Sequence, residues 1–392
     1  MRHLRPFAAI ALSAALATAP GLATAAPATA VTPATPATTV ASTAAKPGPE
    51  EIRAKVQRLM PKAPTALKQK LDRMTDGPAA NDGSQYQCGP TEVNRWVAQS
   101  LESWDEYDLL ILQMMGALDL PTYDALVFGS ENDPRYALRE DRQVLTKTMK
   151  KLEKFWDVRT DDIELMAMHG DMLLDRSRTA RVYEVVFGLP KADAQEMADL
   201  VATFVASKPH FQGGDHPIFT FNAFAFTTYG ESEPGIGVIG DRIVMGDGIL
   251  RAYRELGYGD VAPQAILAHE FGHHVQFELR MHGQENTPET TRRTELHADA
   301  ASAYFLSHPR GTSMQIKRVT QFLRVFYTIG DCQFDSPGHH GTPNQRERAG
   351  NWAYQLQEKA RPKGHILPAV EFTRLFDAAL PGLVAPDVAK AA

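Results

Sequence analysis

Apolar residues recur three or four positions apart through most of the stretch from Glu50 to about Ser207. E-E-I-R-A-K-V-Q-R-L-M, T-A-L-K-Q-K-L-D-R-M, T-E-V-N-R-W-V-A-Q-S-L and D-R-Q-V-L-T-K-T-M-K-K-L-E-K-F-W all carry this spacing, which marks helices with one buried face. Thr91 is placed to cap the third of them. The texture then changes. I-F-T-F-N-A-F-A-F, residues 218–226, alternates around aromatics and predicts a strand. V-I-G-D-R-I-V-M is a second strand candidate, and G-D-G-I-L-R-A-Y-R-E-L starts a helix. Gly257 and Gly259 end that helix, and Asp260 and Pro263 suit the start of the next. The pattern predicts a mainly helical α+β chain: a helical region over 50–207, then a unit over 208–392 with a small β-sheet edge.

The helix after Pro263 contains A-I-L-A-H-E-F-G-H-H-V-Q, residues 265–276. Imidazoles and a carboxylate inside an apolar run are costly unless they are paired or bind a metal. His269 and His273 are four residues apart, which puts both rings on one helix face, one turn apart. Two neutral imidazoles so placed can share one zinc ion. Glu270, about a quarter turn away, sits beside such an ion, where it can take a proton from water and return it to a leaving amine. The plainer alternative is a helix with satisfied core histidines. A catalytic zinc usually has three protein ligands, and R-T-E-L-H-A-D-A-A-S-A-Y-F-L offers Glu295 as the third, at the start of a second helical segment. Asp299 lies one turn further on the same face, placed to hold a ligand imidazole. The alternative for this pair is a solvated acidic face, but the alanines at 298, 300, 301 and 303 point to close packing. His274 points to another side of its helix than His269, and His297 lies nearly opposite Glu295. Neither is expected to bind the metal; His282 and His339 have no assigned part.

Other chemistry-bearing residues change this picture little. Met114, Met115, Met166, Met168 and Met172 suit core filling better than a soft-metal site, and the lone His169 is read as a core histidine. The chain has 392 residues and a net charge of −6, so no basic field invites nucleic acid. M-R-H-L-R-P followed by an apolar, alanine-rich segment and A-T-A at Ala23–Ala25 reads as a signal peptide over 1–25. The alternative is an uncleaved anchor, for which the apolar core is short. Residues 26–49 are mostly Pro, Ala, Thr and Val and read as a disordered linker. No later stretch is long and apolar enough to span a membrane, and no Cys follows the signal to accept a lipid. The expectation is an exported protein, periplasmic or secreted, with no stable membrane insertion after cleavage. Cys88 and Cys332 can form one long-range disulfide there, but their distance is not legible in sequence.

H-E-F-G-H-H-V-Q followed by E-L-H-A-D resembles the gluzincin metallopeptidases, most closely the bacterial neutral zinc metallopeptidase group. F-N-A-F-A-F before V-I-G-D-R-I-V-M-G-D-G-I-L is also similar to the N-A-F-A strand of the CAAX prenyl protease–like gluzincins, which are membrane-embedded. The resemblance covers about residues 218–352 and leaves 50–207 unexplained. It implies a zincin-like metallopeptidase domain over 208–392 binding one zinc ion per chain. His269, His273 and Glu295 would be its ligands, Glu270 its general base, and Asp299 the residue that orients a ligand histidine, His269 first. It further implies that the strand through Asn222, Ala223, Phe224 and Ala225 pairs with the backbone of a peptide or protein substrate. G-H-H-G-T-P-N-Q-R, residues 338–346, is similar to the family's late H-x-x-x-x-x-R element. On that likeness His340 would stabilise the oxyanion and Arg346 would hold a carboxylate or the substrate backbone. A loop with no catalytic part is the plainer reading of this segment.

Two other classes stay open. One is an inactive zinc-binding scaffold or partner-binding protein, which has no need for Glu270. The other keeps the metal but hydrolyses something other than a peptide.

Overall fold

The computed structural model describes residues 8–11, 48–65, 67–68, 86–233, 236–281, 287–332 and 339–387. The linker expected over 26–49 lies outside these residues up to position 47, as does His282. The architecture is mainly helical with a small sheet. Strand β1 (Ala8–Ala11) comes first, then helices α1 (Pro49–Leu59), α2 (Glu92–Ser100), α3 (Glu106–Met115), α4 (Leu120–Phe128) and α5 (Arg142–Leu152). Strand β2 (Glu164–Met168) follows, then α6 (Arg176–Val185), α7 (Lys191–Ser207), β3 (Ala223–Thr227), the short β4 (Ser232–Glu233) and β5 (Gly237–Val238), and β6 (Arg242–Gly246). The chain ends with α8 (Asp247–Glu255), α9 (Ala262–Glu278), α10 (Pro288–Ser307), α11 (Ile316–Thr328), α12 (Pro343–Lys359) and α13 (Ala369–Leu383). Among the described residues no helix is long and apolar enough to cross a membrane.

The main sheet has the order β1-β3-β6-β2. β3 runs antiparallel to both neighbours, with Ala223 opposite Met245 and Phe226 opposite Arg242, and with Ala8 opposite Thr227 on its other edge. β2 runs parallel to β6, Glu164 opposite Arg242 and Met168 opposite Gly246. The sequence reading made 50–207 helical throughout, and here the structure differs. E-L-M-A-M is composed of good helix formers, and Met166, Ala167 and Met168 are buried on both faces of the sheet, so no polar alternation marks the strand. The strand expected over 218–226 is shorter than its pattern, because Pro217–Thr220 form a 3₁₀ turn before β3.

β2 also ties the helical region to the unit expected to begin at 208. One continuous cluster of buried apolar side chains reaches from Val56 to Leu383, so the two share a core. The buried Arg242 is a joint between them. Its Nη1 donates to the carbonyls of Ala125 at 3.3 Å, Leu126 at 2.9 Å and Gly129 at 3.1 Å, closing the C-terminal end of α4. α9 passes through the middle of the molecule, packed on α10, α5 and β3, and every residue from Ala265 to Phe277 is buried. A helix apolar on all sides belongs at the centre of a fold. The polar groups on this one therefore must be satisfied from within.

Removing the Arg242 guanidinium takes the donor from the buried carbonyls of Leu126 and Gly129 and leaves that of Ala125 with the Gly129 N–H alone. Arg242→Met is expected to lower the unfolding free energy by about 3 kcal/mol, read from the urea midpoint by circular dichroism.

Candidate metal centre

Pro263 sits in the first turn of α9, where its missing N–H costs nothing. From there the helix runs unbroken through the motif. His269 and His273 turn their Nε2 atoms toward one another at 3.1 Å. Glu295, from α10, brings Oε2 to 3.4 Å from Nε2 of His269 and Oε1 to 3.4 Å from Nε2 of His273. All three residues are buried, and together they could hold a metal ion. The spacing fits one: bonds of about 2.0–2.1 Å in a tetrahedral arrangement put ligand atoms about 3.3 Å apart. Gly272 makes this approach possible. A Cβ there would lie 3.0 Å from Cα of Ala298, so the glycine lets α10 come close enough to deliver Glu295. α10 begins at Pro288 behind a Thr287 cap, two turns ahead of the start expected near Glu295.

The outer nitrogens of both rings are engaged. Nδ1 of His269 lies 2.9 Å from Oδ1 of Asp299, the carboxylate expected to orient it. Nδ1 of His273 lies 3.1 Å from Oε1 of Gln276. The amide of Gln276 cannot be turned round, because its Nε2 donates to the carbonyl of Thr294 at 2.7 Å. Nδ1–H of His273 is therefore the donor to Gln276. An ionised Asp299 accepts from His269 in the same way. Both rings then present Nε2 lone pairs, facing each other and a carboxylate whose two oxygens have no hydrogen-bond partner. Three electron-rich groups converging in a dry site need a cation or added protons.

Without a metal, protons supply that charge. Burial pulls His269 down, but its contacts with Asp299 and Glu295 outweigh this and raise it to about 9. Burial pushes Glu295 up, yet the charges of His340, His273 and His269 hold it well below the usual carboxylate range. Glu270 follows His269 and faces β3. It is fully buried, with the backbone of Ala225 against its carboxyl. Burial first, and the charge of Glu295 in addition, push it up to about 8, against the opposing charges of His269 and Arg346. Such a carboxyl exchanges its proton near neutral pH, as a general base requires.

Arg346 lies within the buried group, on the Asp299 carboxylate. Its guanidinium is fully buried and grips Asp299 through Nε to Oδ2 and Nη2 to Oδ1, both 2.7 Å. It does hold a carboxylate, but one belonging to this chain. The segment before it is a helix start rather than only a loop: Thr342 caps α12, and the first turns aim Arg346 at α10. His340 precedes that cap. Its Nδ1 lies 3.2 Å from Oδ2 of Asp331, and its side chain is 13% exposed. Burial lowers its pKa, but Glu295 and Asp331 raise it on balance.

Ala223, Phe224 and Ala225 lie in β3. Asn222 precedes it, with its carbonyl accepting from Gly246 N–H at 2.9 Å. The β3 edge expected to meet substrate carries β1 here, from within the apolar part of the expected signal peptide. His274 reaches the Arg242 carbonyl at 3.1 Å and ties α9 to β6. His297 contacts Gln276 and Thr373 and stands outside the ligand group. His339 pairs with Asp331 at 2.6 Å, and His169 pairs with Asp247 at 2.5 Å in the core. The methionines at 115, 166, 168 and 172 are buried in the apolar cluster. Cys88 and Cys332 form a disulfide across 244 residues, with Cα atoms 5.9 Å apart. Gln276 and Asp331 went unassigned in the sequence. Gln276 had a signal, standing one helical turn after His273. Asp331 had none beyond its place beside Cys332.

Two outcomes check this geometry. Glu295→Ala should lower metal affinity far more than His297→Ala in a chelator competition; the reverse order would mean that the third ligand is misassigned. A metal must also displace the proton that His269 holds below about pH 9. Metal binding near pH 7.5 should release about one proton or more, and affinity should rise with pH toward 9. Calorimetry in buffers of different ionisation enthalpy reads this directly, and no proton release would contradict the site. No family model, no curated protein and no solved structure matches this chain.

Proposed function

We propose that the chain is an exported zinc metallopeptidase of the gluzincin type, hydrolysing peptide bonds in a zincin-like domain. One observation carries the reading. A buried group of two imidazoles and a carboxylate with metal-ligand spacing has next to it a second fully buried carboxyl, Glu270. Binding a metal does not need Glu270. Its retention beside the ligands favours turnover over the scaffold reading. The ligand set of two histidines and one glutamate is typical of catalytic zinc, which keeps a position open for a water or substrate.

A zinc ion held by His269, His273 and Glu295 would polarise the scissile carbonyl and acidify a water molecule. The chain's own groups do the rest. Glu270 takes the proton of the attacking water and passes it to the leaving nitrogen, for which a pKa of about 8 before metal binding is a workable start. Asp299, clamped by Arg346, and Gln276 keep the two imidazoles from rotating, so the ligand atoms stay convergent. His340 stands on the Glu295 side, where a donor can stabilise a developing oxyanion. With the leader removed, the β3 edge that pairs with Ala8–Ala11 would be open to an extended peptide, and that antiparallel pairing supports the role. The leader-like N-terminus and the disulfide both suit an oxidising compartment outside the cytoplasm.

Glu270→Gln tests the reading. The variant should retain about one zinc per chain by metal analysis and lose at least about 100-fold in rate on a peptide library digested beside the unaltered chain. Equal hydrolysis by both would sink the mechanism. Full zinc binding with no peptide cleavage by either would favour the scaffold or a non-peptide substrate.

A further inference from the structure

The candidate metal ligands are carried by helices α9 and α10, whereas His340 stands just before the cap of α12 and its placement needs support of another kind. Asp331 provides it. Its Oδ2 accepts from the backbone N–H of His340 at 2.8 Å and lies 3.2 Å from the same residue's Nδ1. Its Oδ1 meets Nδ1 of His339 at 2.6 Å. Its own N–H donates to the carbonyl of Gly341 at 2.9 Å. One residue thus pins both the backbone and the ring of His340. Gly341 makes the turn that follows, with φ of +96° and a Cβ position only 3.1 Å from Leu296 on α10. The turn therefore runs against the helix that carries Glu295.

Asp331 is anchored by its neighbour. Cys332 is bonded to Cys88, and the strand of chain around Cys88 is itself docked. Gln87 N–H donates to Oδ2 of Asp387 at 2.7 Å, and the same oxygen accepts from Nδ2 of Asn344 at 2.9 Å, at the start of α12. Tyr86 reaches the carbonyl of Val384 at 3.4 Å. The segment beside the metal site is thereby fixed to the C-terminal end of the described chain and to the first turn of α12.

We propose that Asp331 is a positioning residue for His340, that the Cys88–Cys332 bridge is the anchor that fixes Asp331, and that both act on turnover through His340 rather than on metal holding. The catalytic part of this rests on the metallopeptidase reading, whereas the positioning part does not. A carboxylate that orients a working histidine typically contributes about 10- to 100-fold, and residues acting through one another are non-additive.

The test uses the full chain loaded with zinc. Asp331→Asn, His340→Ala, the pair Cys88→Ser with Cys332→Ser, and each of the first and third combined with His340→Ala are compared. Asp331→Asn should lower kcat about 10- to 100-fold with KM within about 2-fold, and the cysteine pair should lower it by less. Both should keep about one zinc per chain, and neither should lower kcat further once His340 is alanine. Loss of zinc in Asp331→Asn, an equal further loss in the His340→Ala background, or full activity of His340→Ala would each overturn the proposal. Proton NMR gives a readout free of turnover. The low-field resonance of an Nδ1–H bound to carboxylate, assigned to His340 by its absence in His340→Ala, should vanish in Asp331→Asn. Its persistence there overturns the positioning role. An inactive chain that nevertheless shows the NMR change would remove the peptidase reading and leave the positioning standing.

Discussion

Glu270, Glu295 and Asp299 are three carboxylates with no exposure to solvent, packed round two imidazoles, and Arg346 is the guanidinium set among them. Burying an unpaired carboxylate costs several kcal/mol, and Arg346 meets that cost for Asp299 through two 2.7 Å hydrogen bonds. The remaining two negative charges are what a divalent cation would balance. In its absence protons take that place, which is why His269 rises to about 9 and Glu270 to about 8. The charge that makes the centre of the molecule a tolerable core is thus the charge that equips it for chemistry. Close contact of α9 and α10 at Gly272 and Ala298 is a condition for both.

How this could be read in the sequence depended on how local each relation is. His269, Glu270 and His273 lie within one turn and a half of a helix, so their relative directions follow from helical geometry alone. Glu295 and Asp299 share a face for the same reason, but the meeting of their helix with α9 is a tertiary fact; the alanines around Asp299 were its local trace. Arg346 shows the limit. Its spacing from His340 is visible, and T-P-N-Q carries the signature of a capped helix start, yet its partner lies 47 residues away on another helix. Gln276 was legible in principle from its i, i+3 relation to His273. Asp331 required the fold.

The same distinction explains what was misread in the architecture. The helical periodicity of 50–207 is real in α1 to α7, but β2 has no polar face to alternate and hides among helix formers. The apparent boundary at 207/208 reflects a change of pattern, not of core. β6 shows why: the Arg242 side chain reaches back to the end of α4 while its carbonyl accepts from His274 on α9. One strand residue therefore couples the helical region to the metal-bearing helix. His274, which has no place among the ligands, gains one as the pin between sheet and site.

The two sides of the centre are built differently. The ligand side is fixed because Asp299, Arg346 and Gln276 hold the two rings from fully buried positions, with their Nε2 atoms facing each other at 3.1 Å. His340 lies outside the helices, just before the cap of α12. Its ring keeps some solvent exposure, and the Asp331 carboxylate holds both its backbone N–H and its Nδ1. Burial alone would push Asp331 toward the neutral form, but His339 and His340 keep it ionised far below the usual range. The disulfide next to that charge gives it covalent backing. The two imidazoles of the group that could hold a metal are thus fixed from buried positions, while His340 is held by Asp331 beside the disulfide.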